Sequence, residues 1–388
     1  MRVAIFTNTY WPTVNGVAIS IANLREGLQQ LGHAVHIFAP APAGFDPAED
    51  QADVSRFPSL PAPVEADYHL ALPVAPRITR LLFESRFDLI HTHHPMWVGV
   101  WGQWYARWMG RPVVTTIHTQ YEIYSKLIPL PDPLVDQYLR VRVKSYCNRC
   151  DYVTTPAESS RQRLLGLGVQ APIDVIYNPT DLAPYREARG AEIRGQYACQ
   201  PGDLLIGYIG RLAPEKNLDA LLDAAEVMLP QVPQLRLLIV GGGPSRNALE
   251  ERARRIPGGD RIIFAGRVDH NLIPQYDAAL DLFITPSMFE VQPLSFAEAM
   301  AAGTPVIAMD APGGNDMIED GVNGRLVPPA EQGPGLARVA LEVLRDAVGL
   351  EAMSRRARAW ANRYDRMTVV QRMLEAYELA SRLLVTRK

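Results

Sequence analysis

The segment DLFITPSMFEVQPLSFAEAMAAGTPVIAM, residues 281–309, reads as a strand, a loop, a helix and a second strand. DLFITPS and TPVIAM carry short apolar runs of the kind that fill a parallel sheet, and Pro293 is placed to start the intervening helix at its first position. Upstream the same rhythm recurs as DLLIGYIG, LRLLIVGGG and RIIFAG, and in the first half as RVAIF, AVHIFAP, DLIHTH, PVVTTIH and DVIYNP. Strands alternating with helices predict an α/β fold with parallel sheets. A turn-rich stretch at residues 177–184 divides the two series, so two Rossmann-like βαβ domains are expected, residues 1–178 and 179–365. The tail, residues 336–384, is helical in pattern, with Trp360, Tyr364, Met373, Leu374, Tyr377 and Leu384 available for burial. Its last helix, about 366–388, is expected to close back on the first domain. The Pro- and Ala-rich segment 40–63 reads as a surface loop.

At 388 residues, 47% of them hydrophobic, the chain is long for one core and suits two. Two domains imply a cleft between them. A formal net charge of −3 argues against a nucleic-acid partner. MRVAIFTNTY runs straight into a strand, and no window approaches the roughly 20 apolar residues of a spanning helix. A cytoplasmic protein is expected, with any membrane contact peripheral. Cys147 and Cys150 form a CxxC, but with Cys199 as the third and last cysteine there is no second ligand pair. Packing is favoured over zinc or redox chemistry.

Ligands of open α/β sheets bind beyond the carboxyl ends of strands, which directs attention to the loops there. After the first strand, Asn15-Gly16 opens a helix, where a glycine lets backbone approach a phosphate and the helix N-terminus offers free N–H groups. A plain turn is the competing reading. GRLAPEKN follows LLIGYIG, and its Arg211 and Lys216 together suit a diphosphate. Lysine near a helix start opposes the helix dipole, which favours a bound anion over a solvated pair. Glu290, in a loop, and Glu298, about one turn into the next helix, can accept hydrogen bonds from sugar hydroxyls. His118 ends a strand of the first half, and its structural and functional readings are evenly balanced. No G-x-G-x-x-G is present, which counts against a dinucleotide dehydrogenase.

FTNTYWPTVNGVAISIANLREGLQQLGHAVHIFAP, GRLAPEKN, IVGGGP and FEVQPLSFAEAMAAGTPVI together resemble the family-4 retaining glycosyltransferases of GT-B fold. The resemblance runs through nearly the whole chain and is most specific at the Glu-x7-Glu pair, Glu290 and Glu298, with Arg211 and Lys216 at the family's spacing. HTQYEIY, YCNRCDYVTTPAESSRQRLLGLGV and the E-x-Q of Glu290 to Gln292 resemble the branch that glycosylates diacylglycerol and related lipids. The resemblance implies an N-terminal acceptor domain, a C-terminal donor domain and a nucleotide diphosphate sugar, UDP-glucose, as donor. Arg211 and Lys216 would grip the diphosphate, Glu298 the ribose and Glu290 the transferred sugar, with Val291, Gln292 and Leu294 lining the donor. Asn15 and Gly16 would approach the phosphates, His118 the sugar, and Tyr121 the acceptor. No metal and no cofactor is implied, the two cations replacing a divalent ion. The leaving phosphate takes the acceptor's proton, so no side-chain base is assigned. Pro293 stands where many members carry glycine, removing one N–H, and the interdomain turn reads YNPTDL where a glycine often follows the proline. A soluble sugar or small-metabolite acceptor is the first alternative, and a non-catalytic nucleotide-sugar-binding protein the second.

Trp97, Trp101, Trp104 and Trp108 recur at intervals of four, three and four, with Gly99, Gly102 and Ala106 on the opposite helix face. Small residues there would let the helix lie close on its own domain and turn the rings outward to lipid, helped by Arg140, Lys144 and Arg149. Packing under another helix is the commoner fate of such a stripe.

Overall fold

The computed structural model describes residues 1–42, 44–46, 50–61, 69–72, 75–119 and 132–387. The chain forms two compact units, Met1–Pro179 with Arg366–Lys388, and Thr180–Asp365. In the first lie β1 (Arg2–Phe6), β2 (Ala34–Pro40), β3 (Val54–Phe57), β4 (Ser59–Pro61), β5 (His69–Ala71), β6 (Leu89–Thr92), β7 (Val113–Thr116), β8 (Tyr152–Thr155) and β9 (Ile173–Val175). Seven of them make a parallel sheet in the order β3-β2-β1-β6-β7-β8-β9, while β4 and β5 pair antiparallel. The second unit holds β10 (Leu204–Ile209), β11 (Leu235–Val240), β12 (Ile262–Gly266), β13 (Leu282–Thr285), β14 (Val306–Met309) and β15 (Gly324–Val327), a parallel sheet ordered β12-β11-β10-β13-β14-β15. Both are Rossmann-like, as the alternation predicts.

Parallel strands need cover on both faces, and β1 shows how its sequence provides for this. Ala4 and Phe6 point into one apolar core with Phe38, Phe57 and Tyr105, whereas Val3 and Ile5 point into another with Ile21, Leu24 and Tyr377. Tyr377 belongs to the last helix, Arg366–Arg387, which packs on the first unit through Val369, Val370 and Met373 as well.

The segment 40–63 is not simply a surface loop. It contains β3, paired with β2, and Phe57 of β3 is fully buried. The β3 sequence, VSRF, interrupts the apolar run with Ser55 and Arg56, so it lacks the signal by which the equally short β6, β7, β13 and β14 are read. Pro293 does not begin its helix either. It is the N-cap, in extended conformation at φ −68° and ψ 118°, and the helix runs Leu294–Ala302.

Candidate active site

In each sheet the strand order reverses once beside the first strand, and loops from the two strands flanking that point come together beyond their carboxyl ends. In the second unit the reversal lies between β10 and β13. The loop after β10 carries Arg211 and Lys216, and the loop after β13 carries Glu290. Lys216 Nζ lies 2.5 Å from Glu290 Oε1, which also accepts from Ser287 Oγ at 2.8 Å. The lysine charge therefore has a carboxylate partner within the chain, so its place at a helix start does not by itself favour a bound anion. Arg211 is exposed and pairs with Glu215.

The backbone beneath Arg211 is held by the glycines after β11. A Cβ on Gly241 would lie 1.9 Å from Gly210 O, and one on Gly243 would lie 2.2 Å from Leu212 O, both positions having positive φ. Leu212 N–H donates to Gly242 O at 2.9 Å, closing the contact. Gly313, also at positive φ, lets its loop press on Glu290, where a Cβ would come 2.5 Å from Glu290 Cβ.

Glu298 is buried on the helix that Pro293 caps. Burial pushes its carboxyl up to about 7, and the Tyr185 hydroxyl partly offsets this. Nearby Asp277 has no hydrogen-bond partner for either carboxyl oxygen among the described residues. Burial and then the Glu298 charge lift it well above the carboxylate range. Gln292 and Leu294 are buried and Val291 half-buried beside Glu290.

In the first unit the reversal lies between β1 and β6. Asn15 caps the helix Gly16–Gln30, its Oδ1 accepting from Ala18 N–H at 2.9 Å while its Nδ2 donates to Thr9 Oγ1 at 2.9 Å. A Cβ on Gly16 would meet nothing within 4 Å. His118, after β7, is buried with its Nε2 2.8 Å from His93 Nδ1. His91 bonds Tyr377 and Thr116, and His94 Nδ1 accepts from Asn8 N–H at 3.2 Å. Burial first, then neighbouring rings, lowers His91 and His94 to about 3. Burial lowers His118 to about 4, with Asn178 opposing, and takes His93 well below the imidazole range. Among the described residues no three such side chains are arranged to hold a metal ion. Tyr121 lies outside the described residues.

Sequence reasoning missed His93, Asn178, Tyr185 and Asp277. The first had a signal, since HTHH at residues 91–94 places histidines at a strand's carboxyl end. Tyr185 and Asp277 lie on helices with no local mark of the site.

Residues 14–184 match the family described as Glycosyltransferase Family 4, and residues 191–360 match Glycosyl transferases group 1. The alpha-monoglucosyldiacylglycerol synthase of Streptococcus pneumoniae is 32% identical over 84% of this chain and 75% of its own length. This chain belongs to the family-4 glycosyltransferases. A GDP-mannose-dependent alpha-mannosyltransferase of Corynebacterium glutamicum is 28% identical over 84% of this glycosyltransferase and 76% of its own length. Among solved structures, Anabaena HepE in complex with UDP superposes with a TM-score of 0.78, at 24% identity, covering 97% of this chain and 99% of that one. The glycosyltransferase thus has the GT-B fold, with its final helix returned to the N-terminal unit.

The tryptophans divide. Gly99 and Gly102 seat the helix Val98–Met109 on its sheet, since Cβ atoms there would lie 1.7 Å from His94 O and 2.8 Å from the Phe6 ring. Trp101 packs half-buried against Phe57, while Trp97, Trp104 and Trp108 are exposed. Trp108 meets Trp104 at 5.1 Å and Phe83, itself exposed, at 4.4 Å. Of the basic residues, Arg140 is paired with Asp136. Cys147 and Cys150 are buried, Gln103 donating to Cys150 Sγ at 3.2 Å, and burial lifts Cys147 to about 12. Neither thiol is poised to react.

Proposed function

We propose that this enzyme transfers glucose from UDP-glucose, with retention, to a lipid acceptor such as diacylglycerol at a cytoplasmic membrane face. The reading is carried by the exposed aromatic cluster of Phe83, Trp104 and Trp108, in a chain 32% identical to a monoglucosyldiacylglycerol synthase. Large apolar rings grouped on a surface cost free energy in water and suit the headgroup region of a bilayer. The helix Asp132–Cys147 also exposes Leu134, Tyr138 and Val141, at the spacing of one helix face. Among the described residues no helix is long and apolar enough to cross a membrane.

The donor chemistry follows from the charges beyond β10 and β13. Charge develops on the nucleotide diphosphate as the glycosidic bond breaks, and Arg211 and Lys216 are the groups that stabilise it. Glu290 pairs with Lys216. Donor binding exchanges that contact, so that lysine faces phosphate and Glu290 accepts from sugar hydroxyls. Glu298 takes the ribose hydroxyls, and Val291, Gln292 and Leu294 line the donor. By the family resemblance, Asn15 and Gly16 serve the phosphates and His118 the sugar. The leaving phosphate accepts the acceptor's proton.

Purified enzyme given UDP- and GDP-sugars with either diacylglycerol vesicles or water-soluble acceptors, followed by mass and anomeric analysis, tests the reading. A hexosylated diacylglycerol of retained configuration, formed from UDP-glucose, is expected. Efficient transfer to a soluble acceptor with none to lipid would overturn the acceptor assignment, and GDP-mannose preference would overturn the donor.

A further inference from the structure

Trp97 opens the helix Val98–Met109 with its backbone at φ 46° and ψ −110°, a conformation that residues with a side chain rarely adopt. It is the first central position of a tight turn, closed by Gly99 N–H donating to Met96 O at 3.2 Å, and glycine ordinarily fills that position. Asn8, in the loop after β1, fixes the peptides on both sides. Its Oδ1 accepts from Val98 N–H at 3.2 Å, and its Nδ2 donates to Met96 O at 3.4 Å. Trp97 therefore stands where the loops after β1 and β6 meet, at the reversal point of the first sheet, the place where open α/β sheets take their ligands.

Glycine would make the same turn without strain, so what tryptophan adds is its ring. That residue remains 48% exposed. An apolar ring does nothing for a diphosphate and suits the uncharged part of a ligand. The loop after β1 exposes two more apolar side chains, Trp11 and Val14. Trp97 also heads the helix that bears Trp104 and Trp108, which follow it by about 10 and 16 Å along the helix axis. The crevice end and the exposed aromatic cluster thus lie along one element.

We propose that Trp97 is an acceptor-binding residue, its ring packing on the glyceryl ester and first acyl carbons of diacylglycerol at the crevice of the first unit. This deepens the lipid-acceptor reading and rests on it. Trp104 and Trp108 dock the bilayer, whereas Trp97 grips the acceptor molecule.

Dioctanoylglycerol dissolved as a monomer separates the two roles, because its transfer needs no membrane. Losing the contact of one large ring is expected to raise the KM for this acceptor about ten- to hundredfold in Trp97→Gly. UDP affinity and vesicle sedimentation should hold, and Tm should stay within a few degrees, since glycine accepts the turn. Trp97→Phe should recover most of the loss. An unchanged acceptor KM in folded Trp97→Gly would overturn the proposal. So would weakened vesicle sedimentation with that KM unchanged, which would make Trp97 a membrane anchor, or an equal loss of UDP affinity, which would mean a damaged site. Fluorine NMR of enzyme carrying fluorotryptophan, with the Trp97 signal assigned by its absence from Trp97→Phe, adds a test that does not depend on Trp97→Gly folding. Dioctanoylglycerol should shift that signal, and a Trp97 signal unmoved at saturating acceptor would contradict the contact. Unsubstituted enzyme that glycosylates only water-soluble acceptors removes the lipid reading and the proposal together, whereas transfer to diacylglycerol unaffected by Trp97→Gly removes the proposal alone.

Discussion

The two sheets reverse at equivalent places and put opposite chemistry there. At the end of β6 and beyond it, with β7 adjoining, the first unit gathers buried, neutral imidazoles: His91, His93, His94 and His118. Beyond β10 and β13 the second unit gathers formal charges, Arg211, Lys216 and Glu290, at least partly open to solvent. One topology therefore supplies a site without setting its electrostatics, which follow from whether the loops bury their polar groups. The charged set suits a diphosphate, and the neutral set offers directed hydrogen bonds without competing for phosphate.

Acid should separate the units most strongly. His91 and His94 are lowered to about 3 and His118 to about 4, from 6.5. The unfolded chain therefore binds more protons below pH 6.5, and stability falls as pH drops through this window. At pH 4.5 each of the three rings costs about 2–3 kcal/mol. Glu298, raised to about 7, acts in reverse: the folded state binds the extra proton, so its contribution improves as pH falls from 7 toward 4.5. Hydrogen exchange at descending pH should show β6 and β7 opening before β10 and β13. Simultaneous opening, or the second unit first, would break the comparison.

Next in size is the effect on transfer. Losing a charge-assisted contact of about 1.5–3 kcal/mol implies a tenfold to hundredfold fall in kcat/KM for Arg211→Ala or Glu290→Gln. Both are expected to keep their Tm, and wild-type rates in folded protein would remove these residues from the site.

The fold was legible because β1, β2, β10 and β11 are apolar runs long enough to show a strand, and Arg211, Lys216 and Glu290 were legible because topology brings consecutive loops to one place. Tyr185 and Asp277 were not, since they reach Glu298 from helices whose local pattern records only burial. The 40–63 segment failed for the opposite reason: its prolines are visible, whereas the burial of Phe57 depends on β2 and Trp101, far away in sequence.

Two smaller effects sharpen the contrast. If Glu298 meets the ribose as a carboxylate, donor affinity should weaken by up to about tenfold from pH 8 to pH 6, as the group protonates near 7. Titration calorimetry should find this dependence flattened in Glu298→Gln, and an unchanged slope would contradict it. Replacing both Trp104 and Trp108 by serine should weaken sedimentation with anionic vesicles several-fold while Tm holds, because both rings are exposed. Trp101→Ser should do the reverse, lowering Tm by removing its packing on Phe57. Equal vesicle binding in all variants would remove the aromatic cluster as support for a lipid acceptor.

The charged half of the comparison is tested most directly by calorimetric binding of UDP and UDP-glucose to three forms of the enzyme. If Arg211 and Lys216 hold phosphate and Glu290 holds sugar, Arg211→Ala should weaken both ligands by about tenfold or more. Glu290→Gln should weaken UDP-glucose while leaving UDP bound as tightly as before, or more tightly, since Lys216 is released from its partner. Equal weakening of both ligands in Glu290→Gln, or unchanged binding of both in Arg211→Ala, would contradict this account of the site.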